Sequence, residues 1–198
     1  MSERVLHLHR HMFRELSDAD LVQSVARRNK AAMEELFERH HERVHRILAR
    51  LRSVDAVDVD DLVQSTFIEV QRSAARYSGQ SAVGTWIVAI AVNVMRHHVR
   101  GEVRYRTALA NRCREAPSTS TTGSPFEECS NRQSMARLAY AFDRLGREQK
   151  EAFLLCDVEG LRGTEVARAL DLPEGTVWRR LHEARMNLRR HLIDKEAP

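Results

Sequence analysis

Four groups of side chains have residue types and spacings suited to chemistry. Between Thr176 and Ile193 stand Arg179, Arg180, Arg185, Arg189 and Arg190, opposed only by Glu183. Guanidinium forks match phosphate oxygens and guanine edges, so this stretch suits DNA. The plainer alternative is a solvated basic helix. In the second group Tyr77 and Trp86 flank a polar stretch, Ser78 to Gly84, and Arg96 and Arg100 follow. Aromatic faces stack on unpaired bases while arginine neutralises the backbone, which suits single-stranded DNA; alternatively Trp86 is a core residue at a helix start. The third group is acidic: Asp55, Asp58, Asp60, Asp61 and Glu69 lie in residues 55–69, which hold no Lys or Arg. That is no surface for DNA, but it fits a basic protein partner or a solvated face. The fourth is His41-Glu42-Arg43-Val44-His45, an HExxH pattern in which two histidines one helical turn apart hold zinc and the glutamate acts as base. Three fixed positions are a weak pattern in a chain with ten histidines. No strong third-ligand pattern follows, although Glu69 is compatible by spacing. A helix surface with two histidines is the better reading, and neither a metal nor a cofactor is expected. No phosphate-cradling G-x-x-x-x-G-K-[ST], nucleophile elbow or Cys/His metal spacing occurs.

Helices must position these groups. Ser17 with Asp20 three residues on resembles a capping box. Leu36, Phe37, Val44, Ile47, Leu48 and Leu51 then form one helical stripe. An acidic loop, Asp55 to Asp61, interrupts it, and Leu62, Val63, Phe67 and Val70 restart the period. Tyr77 to Gly84 has loop composition; Thr85 is expected to cap the next helix, whose buried face is Trp86, Ile87, Ile90, Ala91 and Val94. Residues 116–125, bounded by Pro117 and Pro125, read as a flexible linker. Beyond it Met135, Leu138, Phe142 and Leu145 form a stripe. Residues 163–193 then pattern as a short helix, a turn with Pro173 and Gly175, and a long helix, the helix-turn-helix arrangement. The long helix fixes Val177, Leu181, Ala184 and Leu188 inward, so Arg179 and Arg180 are expected to face outward. No β alternation is evident, and an all-α chain of two small bundles is expected.

Composition agrees. With 198 residues, 42% hydrophobic and 30% charged, the chain can bury a core. Eight Gly and four Pro are few for an all-β protein, and collagen, a disulfide scaffold and wholesale disorder are excluded. The net charge of +4 favours an anionic partner. The longest apolar stretch, Trp86 to Val92, is far below the roughly 18 residues of a membrane span. Residues 1–16, with His7, His9 and His11, lack a signal-peptide core and read as a tail. Cys113, Cys129 and Cys156 form no pairing pattern, so a reducing cytoplasm is expected.

In order along the chain, these pieces resemble a bacterial RNA polymerase sigma factor of the extracytoplasmic-function (ECF) type. The resemblance rests on Ala32-Met-Glu-Glu-Leu-Phe-Glu-Arg-His40, on Val59-Asp-Asp-Leu-Val-Gln-Ser-Thr-Phe67, and on Tyr77-Ser-Gly-Gln-Ser-Ala-Val-Gly-Thr-Trp86 continuing through Asn93 to Arg100. Its last part is Glu159-Gly-Leu, Glu165-Val-Ala and Gly175-Thr-Val-Trp-Arg-Arg-Leu181. It implies region 2 over 17–106 and region 4 over 133–194, with a 1–16 extension and a 107–132 linker. It further implies that Asp60, Asp61, Leu62, Gln64 and Phe67 bind core polymerase. Tyr77, Ser78, Gln80, Ser81, Thr85, Trp86, Asn93, Arg96 and Arg100 would open and read the minus-ten promoter element. Thr176, Trp178, Arg179, Arg180 and Arg185 would read the minus-thirty-five element. Core polymerase, promoter DNA and an anti-sigma factor are the partners implied, and the chain itself catalyses nothing. Departures from the family pattern are Gly146, Arg162-Gly163, Arg28-Asn-Lys30 and a bulky Trp178. A helix-turn-helix regulator working without polymerase is the rival class; it would leave residues 55–100 unused.

Overall fold

The structure, a computed structural model, describes residues 13–51, 58–110 and 130–193, with side chains for 13–51, 58–100 and 137–192. The histidine tract before Phe13, Asp55, the 116–125 linker, Cys113 and Cys129 lie outside these, and Met135 lies where only the backbone is described. The described residues are helical, with no strand among them, as the periodicity led us to expect.

Helix α1 spans Asp18–Ala26. Ser17 caps it by accepting the Asp20 N–H at 3.2 Å, and its hydroxyl donates to the Asp20 carboxylate at 2.6 Å. The acid therefore takes the hydroxyl proton, where a capping box would have it reach the cap's own amide. Arg28 adopts φ 61°, a conformation better suited to glycine. Asn29 Oδ1 then accepts the Ala32 N–H at 3.1 Å and starts α2, Lys30–Leu51. Helix α3 spans Val59–Ser73. The expected acidic loop to Asp61 is thus shortened, because the Asp58 carboxylate accepts the Asp60 N–H at 3.0 Å and caps the helix there. A 3₁₀ turn, Ala74–Arg76, leads into the 77–82 loop.

Helix α4 spans Val83–Ala110 and so continues past the expected boundary at residue 106. Its first turn closes on the Ala82 carbonyl, which accepts the Trp86 N–H at 3.0 Å. Thr85, expected as its cap, lies inside that turn and is only 7% exposed. The buried face of α4 differs from the expected one: Val83, Val88, Val92 and Met95 join Ile87 and Ala91, whereas Trp86, Ile90 and Val94 are only half-buried at its margin. Two partners cover it: α2 and α3 on one side, and a helix from the other end of the chain.

The C-terminal unit begins with α5, Ser130–Asp143. On it Ala141 is buried, whereas Leu138, expected in the apolar stripe, is exposed. Helix α6, Arg147–Phe153, opens at Gly146, whose N–H is accepted by Gln149 Oε1 at 3.4 Å. It widens into a π turn, Leu154–Val158, where the Glu159 N–H reaches back five residues to the Leu154 carbonyl at 2.9 Å. Helix α7 is Gly163–Leu170. Arg162 at its cap position has no side-chain acceptor to offer. Glu165 supplies it, accepting the Arg162 N–H at 3.0 Å, so Thr164 is not the cap but an exposed residue of the first turn. The arginine donors hold the Glu165 carboxyl below its ordinary range. Asp171, left-handed at φ 52°, ends α7, and α8 follows as Glu174–Ile193.

The packing is unequal. Leu21, Leu36, Ile47, Leu48, Val70, Ile87 and Ala91 centre the N-terminal core. The same cluster continues into Leu154, Leu155, Leu161, Val166, Leu170 and Val177 of the C-terminal unit, through contact of α4 with α7. Ala141, Leu145, Ala184 and Leu188 form a separate small cluster between α5 and α8. Each fully buried leucine contributes about 1.5–3 kcal/mol, so the shared face holds much of the C-terminal unit's apolar energy.

Candidate nucleic-acid and protein interfaces

The acidic helix makes one wall of a groove. Met33, Phe37, His41 and His45 from α2 and Asp60, Val63, Gln64, Phe67 and Ile68 from α3 enclose about 750 Å³. The floor is apolar: Phe37 and Phe67 meet edge to face with ring centroids 4.8 Å apart, and Ile68 is 44% exposed. The rim carries the exposed Asp60 and Gln64, and Asp61 is exposed beside them on α3. Of the five residues assigned to a polymerase contact, Leu62 is buried in the core and Phe67 shows only its groove-facing edge. An apolar floor with an acidic rim suits a basic amphipathic partner helix.

The same groove holds the HExxH residues. The His41 ring stacks on Phe37 at 4.9 Å and its Nδ1 lies 3.1 Å from the Phe37 carbonyl oxygen. His45 Nε2 lies 3.6 Å from an Asp60 oxygen. Among the described residues, no three His, Cys, Asp or Glu side chains are grouped to hold a metal.

The loop after α3 is a preformed turn. Tyr77 donates its hydroxyl to the Ser81 carbonyl at 2.5 Å and its ring lies 5.0 Å from that of Trp86. Burial pushes the Tyr77 phenol above its ordinary range. Gly79 has φ 73° and nothing near the place a Cβ would take. Ser78, Gly79 and Gln80 are thereby presented to solvent. On α4 the expected strand-holding groups part company. Arg100 is exposed. Arg96 donates from Nε to Glu151 Oε2 at 3.0 Å and from Nη1 to the Leu170 carbonyl at 2.9 Å. Asn93 Nδ2 donates to the Ala169 carbonyl at 3.1 Å.

Helix α8 corrects one expectation. Arg179 is 68% exposed, but Arg180 is 12% exposed and pairs with Glu148 at 2.7 Å. Successive helical residues turn by about 100°. Arg179 therefore lies about 200° from Val177, on the far side, whereas Arg180 at about 300° falls back beside the buried stripe. Arg185 is exposed yet held bidentate by Asp157 at 2.6 and 2.9 Å, and that partner raises its pKa. Arg189 and Arg190 are exposed. Thr176 lies near the helix start, half-buried. Trp178 is 49% exposed; its indole N–H donates to Glu174 at 3.0 Å. A Cβ on Gly163 would fall 2.6 Å from Trp178 Cζ2. The bulky tryptophan and the missing side chain are thus one feature: the indole lies over the start of α7 because residue 163 is glycine.

Contacts to which the sequence patterns gave no sign join the two units. Glu151, 3% exposed, receives Arg96 and Arg147. Arg43 Nε donates to Glu159 at 2.7 Å, and its guanidinium passes 2.8 Å from where a Gly84 Cβ would sit. Gly84, at a helix start, was the one available signal.

Comparison with known proteins bears on the family and the fold. The family model of sigma-70 region 2 matches residues 36–105 and that of sigma-70 region 4 matches residues 135–188. The ECF RNA polymerase sigma factor SigM of Mycobacterium tuberculosis is 32% identical over 185 residues, covering 90% of this chain and 86% of that protein. The ECF RNA polymerase sigma-E factor of Haemophilus influenzae is 29% identical over 181 residues, covering 88% and 94%. In overall fold the chain is similar to CnrH, solved in complex with the cytosolic domain of CnrY. The TM-score is 0.60 at 24% identity, over 91% of this chain and 99% of that one.

Proposed function

We infer how this chain works from the premise that it belongs to the sigma-70 family, as a sigma factor of the extracytoplasmic-function type. It directs RNA polymerase to promoters and is not itself an enzyme. Among the described residues no helix is long and apolar enough to cross a membrane; we place its action in the cytoplasm, beside the polymerase. The domains are the extension 1–16, region 2 over 17–106, the linker 107–132 and region 4 over 133–194.

The observation that carries the division of labour is the opposite chemistry of the two exposed surfaces. An acid-rimmed apolar groove lies on α2–α3, and exposed arginines line α8. The groove takes a basic helix of core polymerase, with Asp60 and Gln64 on the rim, Asp61 exposed beside them, Phe67 in the floor and Leu62 supporting it from the core. Ser78, Gln80 and Ser81 meet the unpaired minus-ten strand, while Tyr77, Thr85 and Trp86 hold the loop in shape. Asn93, Arg96 and Arg100 hold that strand's phosphates. A base taken out of the stack costs a few kcal/mol, which these contacts offset. Thr176, Trp178 and Arg179, near the start of α8, reach the edges of the minus-thirty-five bases, because a helix-turn-helix points that end into the major groove. Arg180 braces the helix from beside its buried stripe and Arg185 through its exposed pair with Asp157, and Arg189 and Arg190 meet phosphate. An anti-sigma protein is the expected regulator.

The test is reconstitution. Core polymerase with the purified chain yields transcripts from discrete promoter starts; core alone does not. A chain that binds duplex DNA but yields no such transcripts is a regulator of the rival class.

A further inference from the structure

Among the described residues α8 leaves two large apolar side chains exposed, Trp178 and Met186. Met186 joins an apolar hollow with Leu138, Phe153, Leu188 and Leu192. Trp178 lies outside that hollow, in the second turn of α8 and next to the exposed Arg179. One side of the indole is seated. A Cβ on Gly163, the first residue of α7, would fall 2.6 Å from Cζ2 and 2.8 Å from Cε2, so any side chain there would displace the ring. Glu174, one turn back on α8, accepts the indole N–H at 3.0 Å. That N–H is the only donor a tryptophan side chain has, and the side chain turns about only two bonds. The ring is therefore oriented before DNA arrives, and what it shows to solvent is apolar.

In the major groove every base pair offers hydrogen-bonding atoms, but the apolar group there is the C5-methyl of thymine. An indole whose donor is already engaged gains nothing from the donors and acceptors of the groove. It can discriminate through that methyl. Arg179 supplies the complementary chemistry, a donor fork that matches guanine O6 and N7. Consecutive Cα atoms are about 3.8 Å apart and stacked base pairs about 3.4 Å apart, so the two side chains reach adjacent base pairs.

We propose that Trp178 is a specificity-determining residue: it packs on the C5-methyl of one thymine in the minus-thirty-five element, beside the base pair that Arg179 reads. Gly163 is the positioning residue that seats the ring. The proposal rests on the assignment of the start of α8 to the minus-thirty-five bases, and it names the chemical group that one residue there selects.

The probe is a single methyl group. The upstream element preferred by the holoenzyme is selected from a randomised pool. Each thymine of that element, on either strand, is then replaced in turn by deoxyuridine, which keeps the hydrogen-bonding atoms and lacks only the methyl. Holoenzyme binding is compared by competition. At one thymine the native chain should bind the deoxyuridine DNA about fourfold more weakly, the effect of one buried methyl. Holoenzyme with Trp178→Ala should bind the two DNAs alike, and Gly163→Ala should lose most of the discrimination although it keeps the tryptophan. The readout is a ratio of two DNAs for one protein, so a smaller folded fraction in a variant does not move it. A native chain indifferent to every replacement overturns the methyl contact. Discrimination that survives in Trp178→Ala overturns it too, by assigning the methyl to another residue, and discrimination unchanged in Gly163→Ala overturns the seating. Failure of the underlying assignment looks different: the holoenzyme then selects no upstream sequence, or Arg179→Ala leaves the selected sequence unchanged, and the role of Trp178 falls with it.

Discussion

The N-terminal unit closes its own core, and the C-terminal unit does not. In the first, Leu36, Ile47, Val70 and Ile87 meet one another across α2, α3 and α4. In the second, the private cluster holds Ala141, Leu145, Ala184 and Leu188, too little for a helix-turn-helix of this size. Leu154, Leu155, Leu161, Val166 and Leu170 are instead continuous with the core of the first unit. The difference teaches that the C-terminal unit has two jobs for one apolar region: to hold its own helices together, and to dock on α4. A core that closes on itself supports a rigid platform. A core shared across a junction supports an element that can be released.

The comparison breaks most visibly at Ile47. Ile47→Ala should cost about 2–5 kcal/mol by cavity formation, and in urea followed by circular dichroism both units should lose stability together. An unaltered C-terminal transition would mean that the shared core is not shared in energy. Within the C-terminal unit, Gly163→Ala should destabilise by about 1–3 kcal/mol through overpacking against Trp178. Adding Trp178→Ala should remove that penalty, and a thermal melt of the three variants checks it. On the outer face of α8, Arg179→Ala should cost about 1–3 kcal/mol on the preferred upstream element and relax one base position. Arg189→Ala should instead weaken all sequences alike and reduce the salt slope by about 1. Titrations of the holoenzyme against a randomised upstream element separate the two. The smallest effect expected is on the platform: Asp61→Lys should weaken association with core polymerase about tenfold, roughly 1.4 kcal/mol. Helix content should be unchanged, as the residue is exposed.

The sequence was most legible where local chemistry decides the structure. The Ser17 cap, the α2 stripe and the helix-turn-helix all follow from neighbours a few residues apart. Errors arose where geometry or a distant partner decides. Thr85 has the composition of a cap, but the helix starts earlier, at Val83. Counting residues alone turns Arg180 outward, but its angle returns it to the stripe and to Glu148. The buried face of α4 shows in the sequence as apolar residues, but nothing local says that α7 packs against it. The same limit applies to Arg96. Its type suits phosphate, and only the fold brings Glu151, fifty-five positions away, against it. In the candidate site the groove residues were readable as acidic, while the division between Leu62 in the core and Gln64 on the rim needed the packing of α2 against α3.

The most direct measurement of the central claim, that the acid-rimmed groove and the arginine-lined helix divide the work, compares the native chain, Asp61→Lys and Arg179→Ala in association with core polymerase and in transcription from a promoter with discrete starts. The account predicts that Asp61→Lys loses transcripts through weaker association with core, while Arg179→Ala keeps association and loses promoter preference. If Asp61→Lys associates with core as tightly as the native chain, the acidic helix is not the polymerase contact and the account is contradicted.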